Sequence, residues 1–199
     1  MQTIPHITNE IKSRLKEAAK SKPDFLIAEV GGTVGDIEGL PFLEAIRQFK
    51  LESGFGNSIF IHVTLVPYLN ASGELKTKPS QHSVITLRSI GIQPDILVCR
   101  SQKVIPKSER KKLALFTSVP PEAVIECRDL KSIYEVPTAL ENEGLAREVL
   151  LRLNMKDVQP DLEAWEETVS KIKNPEKNIK IAIAGKYTKL SDAYISVVE

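Results

Sequence analysis

The sequence has few cysteines and no excess of either charge, and each shortage excludes a class of protein. Of 199 residues only two are cysteines, Cys99 and Cys127. Both lie at the ends of predicted strands, where we expect free buried thiols rather than a disulfide framework. Lysine and arginine total 27 against 26 acidic residues, a net charge of +1. A global field for nucleic acid is therefore absent, and any anion must be bound by a local cluster.

Long apolar runs are missing as well. The longest are far too short to cross a bilayer, and no apolar signal-like segment follows Met1. We therefore expect no membrane partner, no nucleic-acid partner and a cytoplasmic location. The composition, 42% hydrophobic and 27% charged, still predicts a sizeable core rather than a disordered chain. The length allows one large domain, or one domain and the start of another.

The stretch with the densest chemistry covers residues 24–45, DFLIAEVGGTVGDIEGLPFLEA. Its residues 25–28 are an apolar run that suits a strand buried on both faces of a parallel sheet. Glu29 follows at the expected carboxyl end of that strand, where open α/β sheets bind ligands. Three glycines allow a tight turn, and Asp36 and Glu38 add two acids. The pattern indicates a metal–nucleotide site, and a plain strand–turn–helix connection with solvated acids is the alternative.

Residues 67–81 form the most informative loop, because lysines stand just before a predicted helix. Lys76 and Lys78 are separated by one residue, Pro79 stiffens the segment, and Ser80 is a candidate helix cap. Ammonium groups beside a helix N-terminus are suited to holding phosphates. An exposed loop without a ligand is the alternative.

Strands and helices alternate along most of the chain. Strands are predicted at residues 25–28, 58–66, 94–99 and 123–127, and helices beginning near Pro5, Pro41, Ser80 and Lys107. The predicted inward positions are Ile7, Ile11 and Leu15 in the first helix, Leu43 and Ile46 in the second, Val84 and Leu87 in the third, and Leu113 and Phe116 in the fourth. This alternation predicts an α/β fold with a doubly wound, mainly parallel sheet. The charge run at residues 107–112 is, on its own, typical of a solvated face.

After Pro137 the pattern changes. Two short helical segments flank Gly144, and strand signals then stop for about 25 residues. A helix after Pro160 carries Leu162, Trp165, Val169 and Ile172 on one face and ends at Asn174-Pro175. Residues 178–185 then predict a new first strand, and a helix begins at Asp192.

Four long, ungapped motifs resemble the CTP synthase family: EVGGTVGDIEGLPFLEAIRQ, ASGELKTKPSQHSV, GIQPDILVCRS and GKYTKLSDAYISVVE. The resemblance covers residues 2–199. It implies an amidoligase domain built like a P-loop NTPase (dethiobiotin-synthetase-like) that lacks its N-terminal half. Residues 1–155 would be this partial domain and residues 156–176 a linker helix. Residues 177–199 would begin a truncated class I glutamine amidotransferase domain.

The resemblance also implies roles for individual residues. Glu29 matches a magnesium ligand. The segment at Asp36, Ile37 and Glu38 matches the site where CTP binds as feedback inhibitor. The positions implied for UTP or CTP are Lys76, Thr77, Lys78, Pro79, Ser80, Gln81 and Lys112, and those for the base of ATP are Arg128, Asp129 and Leu130. Phe116 lies one helical turn from Lys112, and its spacing leaves open whether it borders the same site.

The implied reaction is ATP-dependent amination of UTP to CTP with ammonia from glutamine, assisted by Mg²⁺, in a homotetramer. Parts of that machinery are missing from this sequence. The phosphate-binding pattern G-x-x-x-x-G-K-[ST] does not occur, and neither cysteine nor His6, His62 or His82 matches a glutaminase triad. We therefore expect the chain alone to be inactive. The alternative is a non-catalytic module that binds pyrimidine nucleotides or serves in assembly.

Overall fold

The chain folds around a parallel sheet whose strands alternate with helices along the sequence. The structure is a computed structural model that describes residues 2–177 and 179–198. Within those residues the helices are α1 (Thr8–Ala18), α2 (Leu40–Ser53), α3 (Lys78–Ser89), α4 (Lys107–Thr117), α5 (Val136–Asn142), α6 (Leu145–Arg152), α7 (Glu163–Lys173) and α8 (Ile195–Val198). The strands there are β1 (Ile61–Leu65), β2 (Tyr68–Leu69), β3 (Glu74–Leu75), β4 (Ile96–Ser101) and β5 (Val124–Arg128). Short 3-10 or π turns cover Thr3–Ile7, Ala19–Ser21, Ile37–Gly39, Pro121–Ala123, Ile133–Glu135 and Ser191–Tyr194. None of these helices combines the length and the apolar character that a membrane span requires.

In the described part of the chain, β1, β4 and β5 form one parallel sheet in that order. Leu65 pairs with Arg100, and Ser101 pairs with Arg128, so the three strands end at one edge. Residues 96–99 of β4 are all buried, which requires cover on both faces. The predicted α/β class with a mainly parallel sheet is confirmed. The strands predicted at 58–66, 94–99 and 123–127 are present with shifted bounds.

The main core lies between this sheet and the helices packed on it. Val84 of α3 and Leu113 of α4 are fully buried, and Leu140 of α5 packs against the same cluster. Burying a side chain of this size completely contributes about 1.5–3 kcal/mol. The buried members are Val66, Val84, Ile96, Leu97, Val98, Cys99, Ile105, Leu113, Ala114, Val119, Ala123, Val124 and Ile125. This core fixes the positions of the strands and of helices α3 and α4 relative to one another.

A hydrogen-bonded network fixes α4 to β5. Arg110 Nη1 donates to Glu143 Oε2 at 2.6 Å, and Arg110 Nη2 lies 3.3 Å from Glu126 Oε2. Glu126 is 8% exposed and also accepts a hydrogen bond from the backbone N–H of Ile105 at 2.6 Å. The hydrogen bond to Glu143 raises the pKa of Arg110. Because a buried carboxylate without partners is costly, the network holds α4, and therefore Lys112, in place.

A second apolar cluster anchors α2 and the acid-rich segment before it against α3. Its members are Leu43, Leu87 and Ile92 at the buried centre and Val30, Val34, Ile46, Phe60 and Ile90 around it. The predicted inward positions of α2, Leu43 and Ile46, are confirmed. Valines of the segment thus hold its backbone while the acids between them remain at the surface.

The first helix begins at Thr8, slightly later than the sequence predicts from Pro5. Ile7, Ile11 and Leu15 lie half-buried along one side, as predicted. Lys12 is buried and pairs with Glu52 of α2, which joins the two helices.

The strand predicted at residues 25–28 is wrong. All four residues are exposed, Ile27 to 91%, and none belongs to a strand. A strand needs a neighbour to pair its backbone N–H and C=O groups, and in the described residues the sheet ends at β1. Composition identifies a segment suited to a buried strand, but it does not supply that neighbour.

The structure divides near Pro160 into two compact units, residues 1–160 and 161–199. In the second, α7 confirms the helix predicted between Pro160 and Asn174. The strand predicted at 178–185 is wrong for residues 179–185, which are exposed and unpaired in any sheet, while Asn178 lies outside the described residues. The predicted last helix is present as the turn at Ser191–Tyr194 followed by α8, and Glu199 lies outside the described residues.

Candidate functional site

The carboxyl ends of β1, β4 and β5 gather polar side chains from three loops. Arg100 and Ser101 end β4, and Arg128 ends β5 beside them. After β1 the chain forms a hairpin, and the backbone N–H of Lys76 donates to Pro67 O at 2.9 Å, which returns that lysine to the end of β1. Open α/β sheets bind ligands outside this edge. The fold therefore collects several of the predicted nucleotide residues in one place.

The hairpin of β2 and β3 presents Lys76 together with an acid. Tyr68 pairs with Leu75 across the hairpin, and Gly73 adopts a φ of 67° at its turn. Lys76 Nζ forms an ion pair with Glu74, and both side chains are largely exposed. The hydrogen bond and charge of Lys76 lower the pKa of Glu74. Lysine and carboxylate both face solvent at the edge of the sheet.

The start of α3 separates the predicted segment 76–81 into two groups. Thr77, Ser80 and Gln81 are buried, and their polar groups are used inside the protein. Gln81 Nε2 donates to Thr77 Oγ1 at 3.0 Å, and Ser80 Oγ donates to Leu65 O at 3.0 Å. Ser80 thus ties the helix start to β1, and the bond from Gln81 to Thr77 closes the helix start on itself, while Lys78 and Pro79 are exposed. The sequence prediction that Ser80 caps the helix is wrong, because α3 already begins at Lys78 and the hydroxyl reaches the strand instead.

Lys112 reaches the same place from α4. Its Nζ lies 3.5 Å from Glu109 Oε2, one turn earlier on the helix. Its charge also acts on Glu74 and is one of the causes that lower the pKa of that carboxyl. Two lysines far apart in sequence thus act on one carboxylate, Lys76 by direct contact and Lys112 through its charge. The core position predicted for Phe116 is wrong, since this side chain is 52% exposed on the outer face of α4.

The end of β5 carries a second ion pair that the sequence did not reveal as a site feature. Arg100 Nε donates to Asp129 Oδ1 at 2.8 Å, and the backbone N–H of Asp129 donates to Ser101 O at 2.9 Å. The side-chain hydrogen bond to Asp129 raises the pKa of Arg100. Arg128 is exposed and Leu130 half-buried beside it. A base and an acid at the ends of adjacent predicted strands are the signal that could have identified Arg100.

The acid-rich segment forms a separate cleft of about 250 Å³. Its lining is Glu29, Val30, Gly31, Gly32, Asp36, Glu38, Gly39 and Phe42. Asp36 Oδ2 accepts a hydrogen bond from the backbone N–H of Thr33 at 2.8 Å, which closes the turn. Gly32 has a φ of 87°, and a Cβ there would lie 3.2 Å from that carboxylate oxygen, so the turn requires glycine. The structure brings the three predicted acids into one cleft, with Ile37 exposed between them.

The cleft fits a sparse magnesium site rather than a protein cage. In the ranges 2–177 and 179–198 no group of three or more His, Cys, Asp or Glu side chains is arranged to hold a metal ion. Glu29 and Glu38 still offer hard carboxylate oxygens in the same open cleft. Magnesium commonly uses one or two protein carboxylates and takes its other ligands from water and phosphate. The donor set is therefore compatible with magnesium held jointly with a nucleotide.

The acid cleft and the lysines lie at different levels of α3. A Cβ at Gly35 would lie 3.8 Å from the Cγ2 of Thr86, which places the acid-rich turn beside the second half of that helix. Lys78 begins the helix, eight residues earlier, or about 12 Å along its axis. The charges of Lys76 and Lys112 both act on Glu74, whereas the acid-rich turn packs farther along α3.

The two cysteines take no part in this chemistry. Both are free, with Cys99 buried and Cys127 half-buried, in agreement with the sequence expectation of free thiols. Burial raises the pKa of Cys99 to about 12 and also raises that of Cys127. Neither thiol is suited to act as a nucleophile near neutral pH.

Comparison with known proteins shows the family of this chain. The family described as "CTP synthase N-terminus" matches residues 1–155. The chain belongs to the CTP synthase family. It is 61% identical over 201 residues to CTP synthase of Symbiobacterium thermophilum and 57% identical over 199 residues to that of Methanococcus maripaludis. All of the chain is covered in both comparisons, but only 37% of each relative. The chain thus spans little more than a third of the length of these CTP synthases.

Proposed function

We propose that this chain supplies nucleotide-binding parts of a CTP synthase active site, in the cytoplasm. ATP would phosphorylate O4 of UTP, and ammonia from glutamine would displace that phosphate to give CTP. The observation that carries the proposal is the position of Lys76 at the carboxyl edge of the sheet, in an exposed ion pair with a carboxylate on which the charge of Lys112 also acts. Two ammonium groups from separate elements at that edge are suited to a triphosphate.

Each group of residues has a distinct task in this proposal. Lys76, Lys78 and Lys112 hold the phosphates of the pyrimidine nucleotide, while Thr77, Ser80 and Gln81 fix the helix start that presents them. Arg128, Asp129 and Leu130 contact the base of ATP, with Arg100 holding Asp129 in place. Phosphoryl transfer depends mainly on alignment and charge neutralisation, which these side chains provide.

Glu29 would hold Mg²⁺ at the mouth of the acid cleft. When bound, the ion neutralises charge on the transferred phosphoryl group. The carboxylate of Glu29 supplies a hard oxygen ligand, and Gly31 beside it leaves room for phosphate oxygens. Its role is to position the bound nucleotide–metal complex relative to the sheet edge.

Asp36, Ile37 and Glu38 would recognise CTP as feedback inhibitor. Carboxylates are poor partners for phosphate, so the acids are assigned to the ribose or the base edge of the inhibitor. Within one chain the turn at Gly35, just before these residues, lies beside Thr86, about 12 Å along α3 from its start. That separation is compatible with a site completed by a second chain, and we propose the homotetramer of the family as the assembly.

The domain organisation follows the same proposal. Residues 1–155 would belong to an amidoligase domain of the P-loop NTPase type, dethiobiotin-synthetase-like, residues 156–176 to a linker, and residues 177–199 to the start of a class I glutaminase. The chain contains neither the phosphate-loop motif nor a matching glutaminase triad, so these functions would come from outside it. The alternative, a non-catalytic module that binds pyrimidine nucleotides or serves in assembly, is compatible with the same absences.

The proposed nucleotide site is tested by calorimetric titration of UTP into the chain and two single variants on α4. Lys112→Gln is expected to weaken UTP binding about tenfold or more, because a charged hydrogen bond to phosphate is lost. Lys111→Gln is the matched control, since this exposed neighbour points about 100° away around the helix. Equal UTP affinities for the two variants would place the nucleotide elsewhere.

A further inference from the structure

The hairpin of β2 and β3 carries an acid, Glu74, that forms an ion pair with Lys76. Lys76 is the lysine that the proposed function assigns to binding phosphate. Glu74 and Lys76 stand two residues apart in an extended segment, so their side chains leave the backbone on the same side. Their ion pair is solvent-accessible, with 56% of the glutamate side chain and 40% of the lysine side chain exposed. The carboxylate of Glu74 therefore pairs with Lys76 while remaining exposed to solvent.

The same carboxylate lies in the field of the second phosphate lysine. The pKa of Glu74 is lowered by the hydrogen bond and charge of Lys76, by a hydrogen bond from Ser72 and by the charge of Lys112. Glu74 therefore remains ionised at neutral pH. One exposed carboxylate, paired with Lys76 and subject to the charge of Lys112, therefore holds the lysine that an anionic ligand would need.

We propose that Glu74 is a built-in competitor for the nucleotide triphosphate, holding Lys76 until the phosphates displace it. This inference rests on the proposed role of Lys76 and Lys112 in binding UTP and CTP. A triphosphate carries several negative charges and displaces one exposed carboxylate readily, because an exposed ion pair contributes little. Glu74 thus lowers the affinity for every ligand that uses Lys76 and sets the concentration at which the site fills.

The test is equilibrium binding of two probes, UTP and inorganic tripolyphosphate, to the 199-residue chain. The variants are Glu74→Gln, Lys76→Gln and the double variant, with Glu122→Gln as control. Glu122 is an exposed acid just before β5, at the opposite edge of the sheet. Thermal unfolding followed by circular dichroism checks that each variant keeps the fold.

Glu74→Gln is expected to tighten binding of both probes roughly two- to fivefold, because the exposed ion pair no longer competes with the ligand for Lys76 and such a pair contributes little. Lys76→Gln should weaken both, and adding Glu74→Gln to it should restore nothing. Glu122→Gln should leave both affinities unchanged.

Three results would overturn the inference in distinguishable ways. If Lys76→Gln weakens binding but Glu74→Gln does not tighten it, Glu74 is not a competitor and the proposed function stands. If Glu74→Gln tightens binding equally with and without Lys76, the charge of Glu74 repels the anionic ligand at long range. Glu74 then does not compete with the ligand for Lys76. If the unmodified chain binds neither probe, or Lys76→Gln changes nothing, the proposed nucleotide site itself fails.

Discussion

Replacing Glu29 by alanine is expected to reduce CTP formation at least about a hundredfold, while glutamine hydrolysis continues. The substitution is made in a complete enzyme in which this chain replaces the matching 201 residues of Symbiobacterium thermophilum CTP synthase. Glu29 lines the acid cleft and is the carboxylate assigned to magnesium. CTP formation is followed from UTP, ATP and glutamine, with glutamate release measured in the same samples.

Asp24→Ala is the matched control, because Asp24 is also an exposed acid of the same segment but does not line the cleft. It should keep near-normal synthesis. If Glu29→Ala forms CTP at a near-normal rate at the magnesium concentration used for the unsubstituted enzyme, Glu29 is a structural or solvated acid and not a metal ligand. Loss of both synthesis and glutamine hydrolysis would point to a general loss of structure instead.

The second large effect separates phosphate binding from inhibitor recognition in the same complete enzyme. Lys76→Ala is expected to weaken UTP use and CTP inhibition together, about tenfold or more, because both nucleotides carry the triphosphate that we propose this lysine holds. Glu38→Ala is expected to weaken CTP inhibition more than UTP use, giving an enzyme that resists feedback and stays active. Steady-state UTP kinetics at several CTP concentrations measure both constants.

An equal rise of the UTP requirement and the CTP inhibition constant in Glu38→Ala would contradict this division. The geometry already separates the two groups, since Glu38 lines the acid cleft and Lys76 lies at the sheet edge. Lys111→Ala, next to Lys112 on α4, controls for the loss of one surface charge.

Local patterns predicted those elements whose partners lie within this chain. The run PDILVC correctly predicted β4, because its residues 96–99 are buried between neighbouring strands and helices. Pro41 and the apolar positions after it gave α2, which packs as predicted. The runs at 25–28 and 179–185 have the same apolar character, yet they form no strand, because the pairing partner of a strand is not encoded in its own sequence.

The sequence predicted which residues belong to the candidate site, but not which contacts each of them makes. Lys76 and Lys112 are 36 positions apart, and only the packing of α4 on the sheet places the charge of Lys112 within range of Glu74. Ser80 has the chemistry of a cap, but its hydroxyl bonds to β1 because the helix starts two residues earlier. Arg100 was missed because its partner, Asp129, becomes a neighbour only through the pairing of β4 with β5.

The most direct test of the central claim is CTP formation by the unsubstituted chimeric enzyme, measured beside the 199-residue chain alone. If the chain supplies working nucleotide-binding parts of CTP synthase, the chimera makes CTP from UTP, ATP and glutamine, and CTP inhibits it. The chain alone is expected to make none, because its sequence contains neither the phosphate-loop pattern nor a matching glutaminase triad. A folded chimera that binds UTP but forms no CTP would contradict the claim and favour the non-catalytic module.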